Sequence, residues 1–259
     1  MASGGGACRP KKFSINSLEG SLIIMKPVAI FRHARAEGPG YFADFLDQEG
    51  IPRKLIRIDA GDAPPISADE FSGLVFMGGP MSVNDDLPWI PATLALIREA
   101  VEADIPVLGH CLGGQLISKA LGGTISRNPV KEIGWGQVAA ASNPAARHWF
   151  GDQHAFNAFH WHGETFSIPD GAVGILASEH CANQAFALGK HLGFQCHIEM
   201  TTGMIMEWCR IGGDEISQAI ESSGVQSVEE IEFDIESRVE ALNRVAEGVY
   251  SVWVKGLKP

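Results

Sequence analysis

Along the first half of the chain, short apolar runs alternate with segments in which apolar residues recur at spacings of three and four. Val28 to Arg32, Lys54 to Ile58, Leu74 to Met77 and Val107 to Gly109 are the runs, each of a length that suits a buried strand. Between them, about Pro39 to Glu49, Ala92 to Ala103 and Leu112 to Leu121 carry the helical pattern, with Gly50 at the stop of the first. This alternation predicts an α/β fold, a three-layer α/β/α arrangement of flavodoxin-like type with a mostly parallel sheet covered on both faces. From Thr124 to about Phe186 the pattern breaks into shorter strands and loops, which predicts added antiparallel strands and substrate-facing loops. After His197, helices are expected at Thr201 to Arg210, about Gly213 to Ser222 and Val228 to Val254. In the last of these, Ile231, Ile235, Val239, Leu242, Val245, Val249 and Val252 form the stripe of a helix docked on its own domain.

Composition narrows the class. The chain has 259 residues, 45% hydrophobic and 20% charged, enough for one well-buried core, and one domain over residues 25–259 is expected. Residues 1–24 differ in kind: Gly4-Gly5-Gly6 and Arg9-Pro10-Lys11-Lys12 precede Met25, which opens onto the first apolar run. They read as an extension, either a leader or a disordered tail, with Met25 as the natural start. A net charge of −11 argues against nucleic acid and anionic membrane surfaces as partners. No run approaches the roughly 18 apolar residues of a membrane span. The five cysteines, Cys8, Cys111, Cys181, Cys196 and Cys209, are odd in number and show no framework spacing, which points to a reducing, cytoplasmic setting.

The chemistry concentrates in Gly109-His110-Cys111-Leu112-Gly113-Gly114-Gln115. An apolar run feeding a cysteine that starts a helix has the shape of a nucleophile elbow, in which small residues let the helix pack closely on the sheet. The helix N-terminus favours the thiolate. An isolated cysteine is more often an inert core thiol. Downstream, Leu192 to Glu199 reads as a buried strand ending in His197-Ile198-Glu199. In an extended chain residues i and i+2 share a face, so Glu199 can hold one ring nitrogen of His197 and leave the other to exchange a proton with Cys111. Nucleophile, base and orienter together outweigh the core-thiol alternative.

On Gly109, Cys111, Gly113, Gln115, His197 and Glu199 the chain resembles the class I glutamine amidotransferases, with their Gly-x-Cys-x-Gly-x-Gln and His-x-Glu motifs. Gly78-Gly79-Pro80-Met81-Ser82, after the run Leu74 to Met77, matches the family's glycine loop. The resemblance implies that the amides of Gly79 and Leu112 form the oxyanion hole. It also implies that Gln115 helps hold the substrate. Asn183-Gln184-Ala185-Phe186 is similar to the family's Asn-x-Gly-Phe segment, which places Asn183, Ala185 and Phe186 near the substrate, with Ala185 where glycine is usual. Lys131-Glu132-Ile133-Gly134-Trp135 and His160-Trp161-His162-Gly163-Glu164 resemble the single-domain group of the family.

The resemblance implies attack of Cys111 on a γ-carboxamide or related γ-glutamyl carbonyl, a glutamyl thioester, and its hydrolysis. Ammonia would pass to a separate synthase subunit, or the chain would act as a self-sufficient γ-glutamyl peptidase or hydrolase. A cysteine peptidase or deglycase on a related fold, and a non-catalytic regulatory protein that keeps the pocket, are the alternatives from other classes. No cofactor is expected: the glycines lack both the dinucleotide-binding spacing and the Lys-Ser/Thr ending of a phosphate loop. No metal is expected either. His160 and His162, with His154 nearby, have no third ligand at close zinc-type spacing. Cys181, Cys196 and Cys209 read as packing residues, and Arg32-His33-Ala34-Arg35 as an exposed basic loop after the first strand.

Overall fold

The computed structural model describes residues 25–259, so the reading of residues 1–24 lies outside the described residues. One nine-stranded sheet organises the chain, in the order β2-β1-β3-β4-β9-β8-β7-β5-β6, where the strands are β1 (Val28–Arg32), β2 (Arg53–Arg57), β3 (Gly73–Phe76), β4 (Val107–His110), β5 (Ile125–Ala140), β6 (Ala155–Phe166), β7 (Val173–Ser178), β8 (Ala185–Leu188) and β9 (His191–Phe194). The strands β2, β1, β3, β4 and β9 pair in parallel, and β8, β7, β5 and β6 are added antiparallel. Only β8 and β5 run against the other strands, so the sheet is mostly parallel, as the alternating pattern predicts.

The period of two along the strands divides the core. Val28 and Ile30 of β1 face one layer with Val75 and Leu108, while Ala29 and Phe31 face the other with Leu74 and Val107. On the first face lie α1 (Gly40–Glu49), α5 (Thr202–Ala219) and α7 (Ile235–Trp253); on the second lie α2 (Trp89–Glu102) and α3 (Leu112–Ala120). The short helices α4 (Pro144–Phe150) and α6 (Val228–Glu232) complete the first face. Gly50 ends α1 in the left-handed conformation at φ 68°, with its N–H bonded back to the last turn. The α7 stripe is docked on its own domain: Val239, Leu242 and Val249 are buried with Tyr250 and Trp253. No helix among the described residues is long and apolar enough to cross a membrane.

Three sequence expectations change. The region after Thr124 is built on two long paired strands, β5 and β6, rather than short ones, because a register shift between Arg127 and Glu132 interrupts their alternation without ending the ladder. The helix expected to stop near Arg210 runs on through Gly212 and Gly213; at Gly212 a side chain would strike the ring of Trp161, so this glycine serves close packing rather than termination. The last helix is instead broken after α6, where Asp234 turns left-handed at φ 52° before α7 begins. In addition, β9 ends at Phe194, so His197 and Glu199 stand beyond the ladder, with His197 held by a backbone bridge to Phe159.

Candidate active site

Cys111 is the hinge between β4 and α3. Its φ of 51° and ψ of −108° are rare for a residue with a side chain, and a non-glycine residue is kept there only when its surroundings over-determine it. The surroundings are specific. The Cys111 N–H donates to the Phe194 carbonyl at 2.8 Å. A side chain at Gly113 would overlap the Phe76 carbonyl, one at Gly114 the Phe194 carbonyl, and one at Gly109 the backbone of Gly113. The glycines thus let α3 sit directly on the ends of β3 and β9, and this close approach aims Cys111 away from the sheet at the start of a helix, where the dipole favours an anion.

The partner comes from the segment after β9. His197 Nδ1 and Glu199 Oε1 are 2.6 Å apart, and both residues are buried. Burial opposes protonation of His197, but the Glu199 carboxylate and the adjoining Cys111 thiol overcome it and hold the ring well above the usual histidine value. Burial likewise works to raise the Glu199 carboxyl, while the imidazoles of His110 and His197 bring it down to about 2. The ring of His197 meets Trp208 edge to face at 4.9 Å between centroids, which fixes its plane. Behind Glu199, His110 Nε2 lies 3.7 Å from Oε2 and 3.2 Å from the Tyr250 hydroxyl. The sequence places His110 beside the nucleophile, but its pairing with Glu199 and Tyr250 depends on the packing of α7 against β4.

Cys111 opens onto a cavity of about 660 Å³ whose wall also includes Gly79, Gln115, Trp161, Glu164 and Trp208. A larger cavity of about 860 Å³, between α4 and α7, holds none of these residues. Gly79 packs on Leu112: a β-carbon there would lie 2.7 Å from Leu112 Cδ2. As the first residue of α3, Leu112 has an amide with no intrahelical acceptor. Gln115 donates to Gln195 Oε1 at 3.2 Å, and Gln195 Nε2 lies 3.6 Å from Cys111 Sγ, so the two amides form a ledge beside the thiol. Opposite, Lys131, Glu215 and the Trp161 indole are joined by contacts of 2.6 and 2.9 Å.

The sequence reading missed Glu37, which enters the cavity from the loop after β1. Its carboxyl lies against Gly78, and burial, opposed by His197 and reinforced by Glu199, pushes it up to about 7. No local pattern marks it. Asn183, Ala185 and Phe186 are placed elsewhere: Asn183 donates to the Phe166 carbonyl at 2.9 Å, Ala185 and Phe186 are fully buried in β8, and none of the three lines the cavity. The Arg32 to Arg35 loop is not simply exposed. Arg32 is paired with Asp59, and His33 is buried, its Nδ1 donating to the Met77 carbonyl at 2.9 Å. Cys181, Cys196 and Cys209 are buried free thiols, as expected. His160 and His162 do have a close third neighbour, Glu132, which β5 brings alongside β6 and which no spacing along the chain displays.

Comparison with known proteins bears on this geometry. A family model described as glutamine amidotransferase class-I matches residues 44–206. The glutamine amidotransferase-like protein YfeJ of Salmonella typhimurium is 33% identical over 209 residues, covering 77% of this chain and 86% of that protein. Gamma-glutamyl peptidase 3 of Arabidopsis thaliana is 28% identical, covering 65% of this chain and 72% of that one. Among solved structures, a glutamine amido transferase from Methylobacillus flagellatus superimposes with a TM-score of 0.88 at 50% identity, covering 91% of this chain and 96% of that chain.

Proposed function

This chain belongs to the class I glutamine amidotransferase family, and on that premise we propose that it hydrolyses the γ-amide of glutamine or of a related γ-glutamyl compound through a thioester on Cys111. The observation that carries the reading is a strained cysteine at a cavity wall beside a buried His197–Glu199 pair. The thiolate attacks the γ-carbonyl, and the negative charge that develops on oxygen is received by the amides of Gly79 and Leu112. Preorganised donors of this kind are worth about 10²- to 10³-fold in rate each. His197, charged in the resting pair, gives its proton to the departing ammonia or amine. It then takes one from water, which cleaves the thioester and frees the cysteine. Glu199 orients the ring and balances its charge. Gln115, with Gln195, borders the position of the glutamyl group.

The cavity continues past Gln115 to Lys131, Trp161 and Glu215, and its volume falls in the range of small-molecule sites. This favours a second version, a self-sufficient γ-glutamyl hydrolase whose leaving group extends toward Trp161 and Glu215. In the first version ammonia is passed to a separate synthase subunit. A cytoplasmic setting is part of the proposal, supported by four free thiols among the described residues.

The test is intact-protein mass spectrometry after incubation with a γ-glutamyl chloroketone, together with ammonia release from glutamine and amine release from a series of γ-glutamyl compounds. One adduct on Cys111, with turnover lost in Cys111→Ala, is the expected result, and the preferred leaving group separates the two versions. Turnover persisting in Cys111→Ala would overturn the nucleophile. Labelling without turnover of any γ-glutamyl compound would point to a regulatory protein that retains the pocket.

A further inference from the structure

Four side chains converge on the antiparallel side of the sheet, one of them, His162, also reaching the wall of the catalytic cavity. Glu132 comes from β5, His160 and His162 from β6, and Gln184 from the residue before β8; all are almost wholly buried. Ligating atoms of Glu132, His160 and His162 lie within 4.8 Å of one another. Both rings are oriented from outside: His162 Nδ1 meets the Glu164 carbonyl at 3.0 Å and His160 Nε2 meets the Gly136 carbonyl at 3.3 Å. A carbonyl only accepts, so each of these nitrogens carries a hydrogen. In the neutral ring the other nitrogen then turns a lone pair inward. The inward atoms are two imidazole nitrogens and a carboxylate, with His162 Nε2 only 3.0 Å from Glu132 Oε2.

Gln184 closes the set in a frustrated way. Its amide nitrogen lies 2.8 Å from Glu132, 3.3 Å from His160, 3.4 Å from His162 and 3.0 Å from Ser178, so two hydrogens face four acceptors. Its amide oxygen is buried with no partner. A half-turn of the amide exchanges the two atoms without changing shape. The oxygen would then repel the carboxylate and the inward lone pairs unless a cation lay among them. In a tetrahedral zinc site with bonds of about 2.0–2.1 Å, ligand atoms are about 3.3–3.4 Å apart. Gln184 stands at that spacing from both histidines.

We propose that Glu132, His160, His162 and Gln184, with its amide turned, form a four-coordinate structural site for a divalent cation of the zinc class. Four protein ligands leave no open position, so the cation would pin β5, β6 and β8 together rather than take part in hydrolysis. The carbonyls of Gly136 and Glu164 orient the rings, as outer partners of metal-bound histidines do. A cavity of about 500 Å³, with Glu132, His160 and Ser178 in its wall, reaches the cluster from one side, and His162 borders the catalytic cavity on the other.

The test uses the full chain without an affinity tag, freed of metal with a chelator and titrated with Co²⁺ and then Zn²⁺. One equivalent of Co²⁺ with the intense visible bands of four-coordinate cobalt, no thiolate charge transfer, displacement by Zn²⁺ and a raised melting temperature are expected. Glu132→Gln and His160→Gln should each weaken binding at least about tenfold, whereas Cys111→Ala should leave it unchanged. No binding by the wild-type chain would overturn the site. Thiolate charge transfer, or loss of binding in Cys111→Ala, would also overturn it. These wild-type and Cys111→Ala results decide the matter even if the cluster variants do not fold. They are also independent of whether the chain hydrolyses glutamine.

Discussion

His197 and Glu199 meet at 2.6 Å through a two-residue spacing that lies outside any ladder strand. The backbone bends on either side of His197, and Phe159 holds it from the side, the His197 N–H donating to the Phe159 carbonyl at 2.8 Å. The base is therefore fixed by β6, while its carboxylate is fixed by His110 from the elbow strand.

From this pairing, His197→Ala should cost more than Glu199→Gln, because the first removes the proton carrier and the second only its orientation and charge balance. Losses on the order of 10⁶- and 10⁴-fold in kcat are expected by analogy with hydrolytic triads. Steady-state hydrolysis of the best γ-glutamyl substrate measures both. An equal or greater loss in Glu199→Gln would contradict the assigned roles.

Glu37 should shape the alkaline side of the pH profile. Its carboxyl is pushed up to about 7, so it is neutral below that pH and charged above it. A charge appearing beside Gly78 opposes the developing oxyanion, so kcat should fall as pH rises through about 7. Glu37→Gln, which stays neutral, should extend the activity plateau to higher pH. An unchanged profile would remove Glu37 from the site's electrostatics.

Close helix packing at the elbow has a stability signature. Gly113→Ala would drive a β-carbon into the Phe76 carbonyl, and an overpacked site of this kind typically costs about 1–3 kcal/mol. Gly213, on the same kind of helical backbone but with open space around it, should tolerate alanine without loss. Urea melts of the two variants, side by side, make the comparison.

Two buried histidines predict acid lability. His33 and His191 are held at about 4 chiefly by burial, against 6.5 for the unfolded chain. His191 also accepts the Val107 N–H at Nδ1, a bond that protonation breaks. As pH falls, the unfolded chain takes up these protons first. Their contribution is therefore complete above about pH 6.5 and is lost progressively as pH falls toward 4. Each histidine adds up to about 1.4 kcal/mol per pH unit to that slope. Melts across this window, repeated with His191→Gln, should show a shallower slope in the variant.

How legible each feature is depends on how local its signal is. The elbow announces itself because Gly109, Cys111 and Gly113 are constrained by one tight turn, and His197 and Glu199 by a spacing of two residues. The alternation of the first half reveals the parallel strands and their covering helices for the same reason. Glu132, Gln184 and Ser178 come together only through antiparallel pairing, and Glu37 only through the return of the β1 loop over Gly78, so the sequence order carries no mark of either. The break expected between Arg210 and Gly213 is absent because Gly212 gives room to Trp161 in mid-helix, and glycine's need for space looks the same on paper as glycine's freedom to turn.

The cavity draws on both halves of the sheet, and the two halves can be altered separately. Cys111 and the proposed proton carrier His197 follow the C-terminal ends of parallel strands, whereas Lys131, Trp161 and Glu164 belong to the antiparallel pair β5 and β6, and Glu215 to α5. Substitutions at Lys131, Trp161, Glu164 or Glu215 would therefore reshape one wall of the cavity and leave the Cys111, His197 and Glu199 arrangement in place.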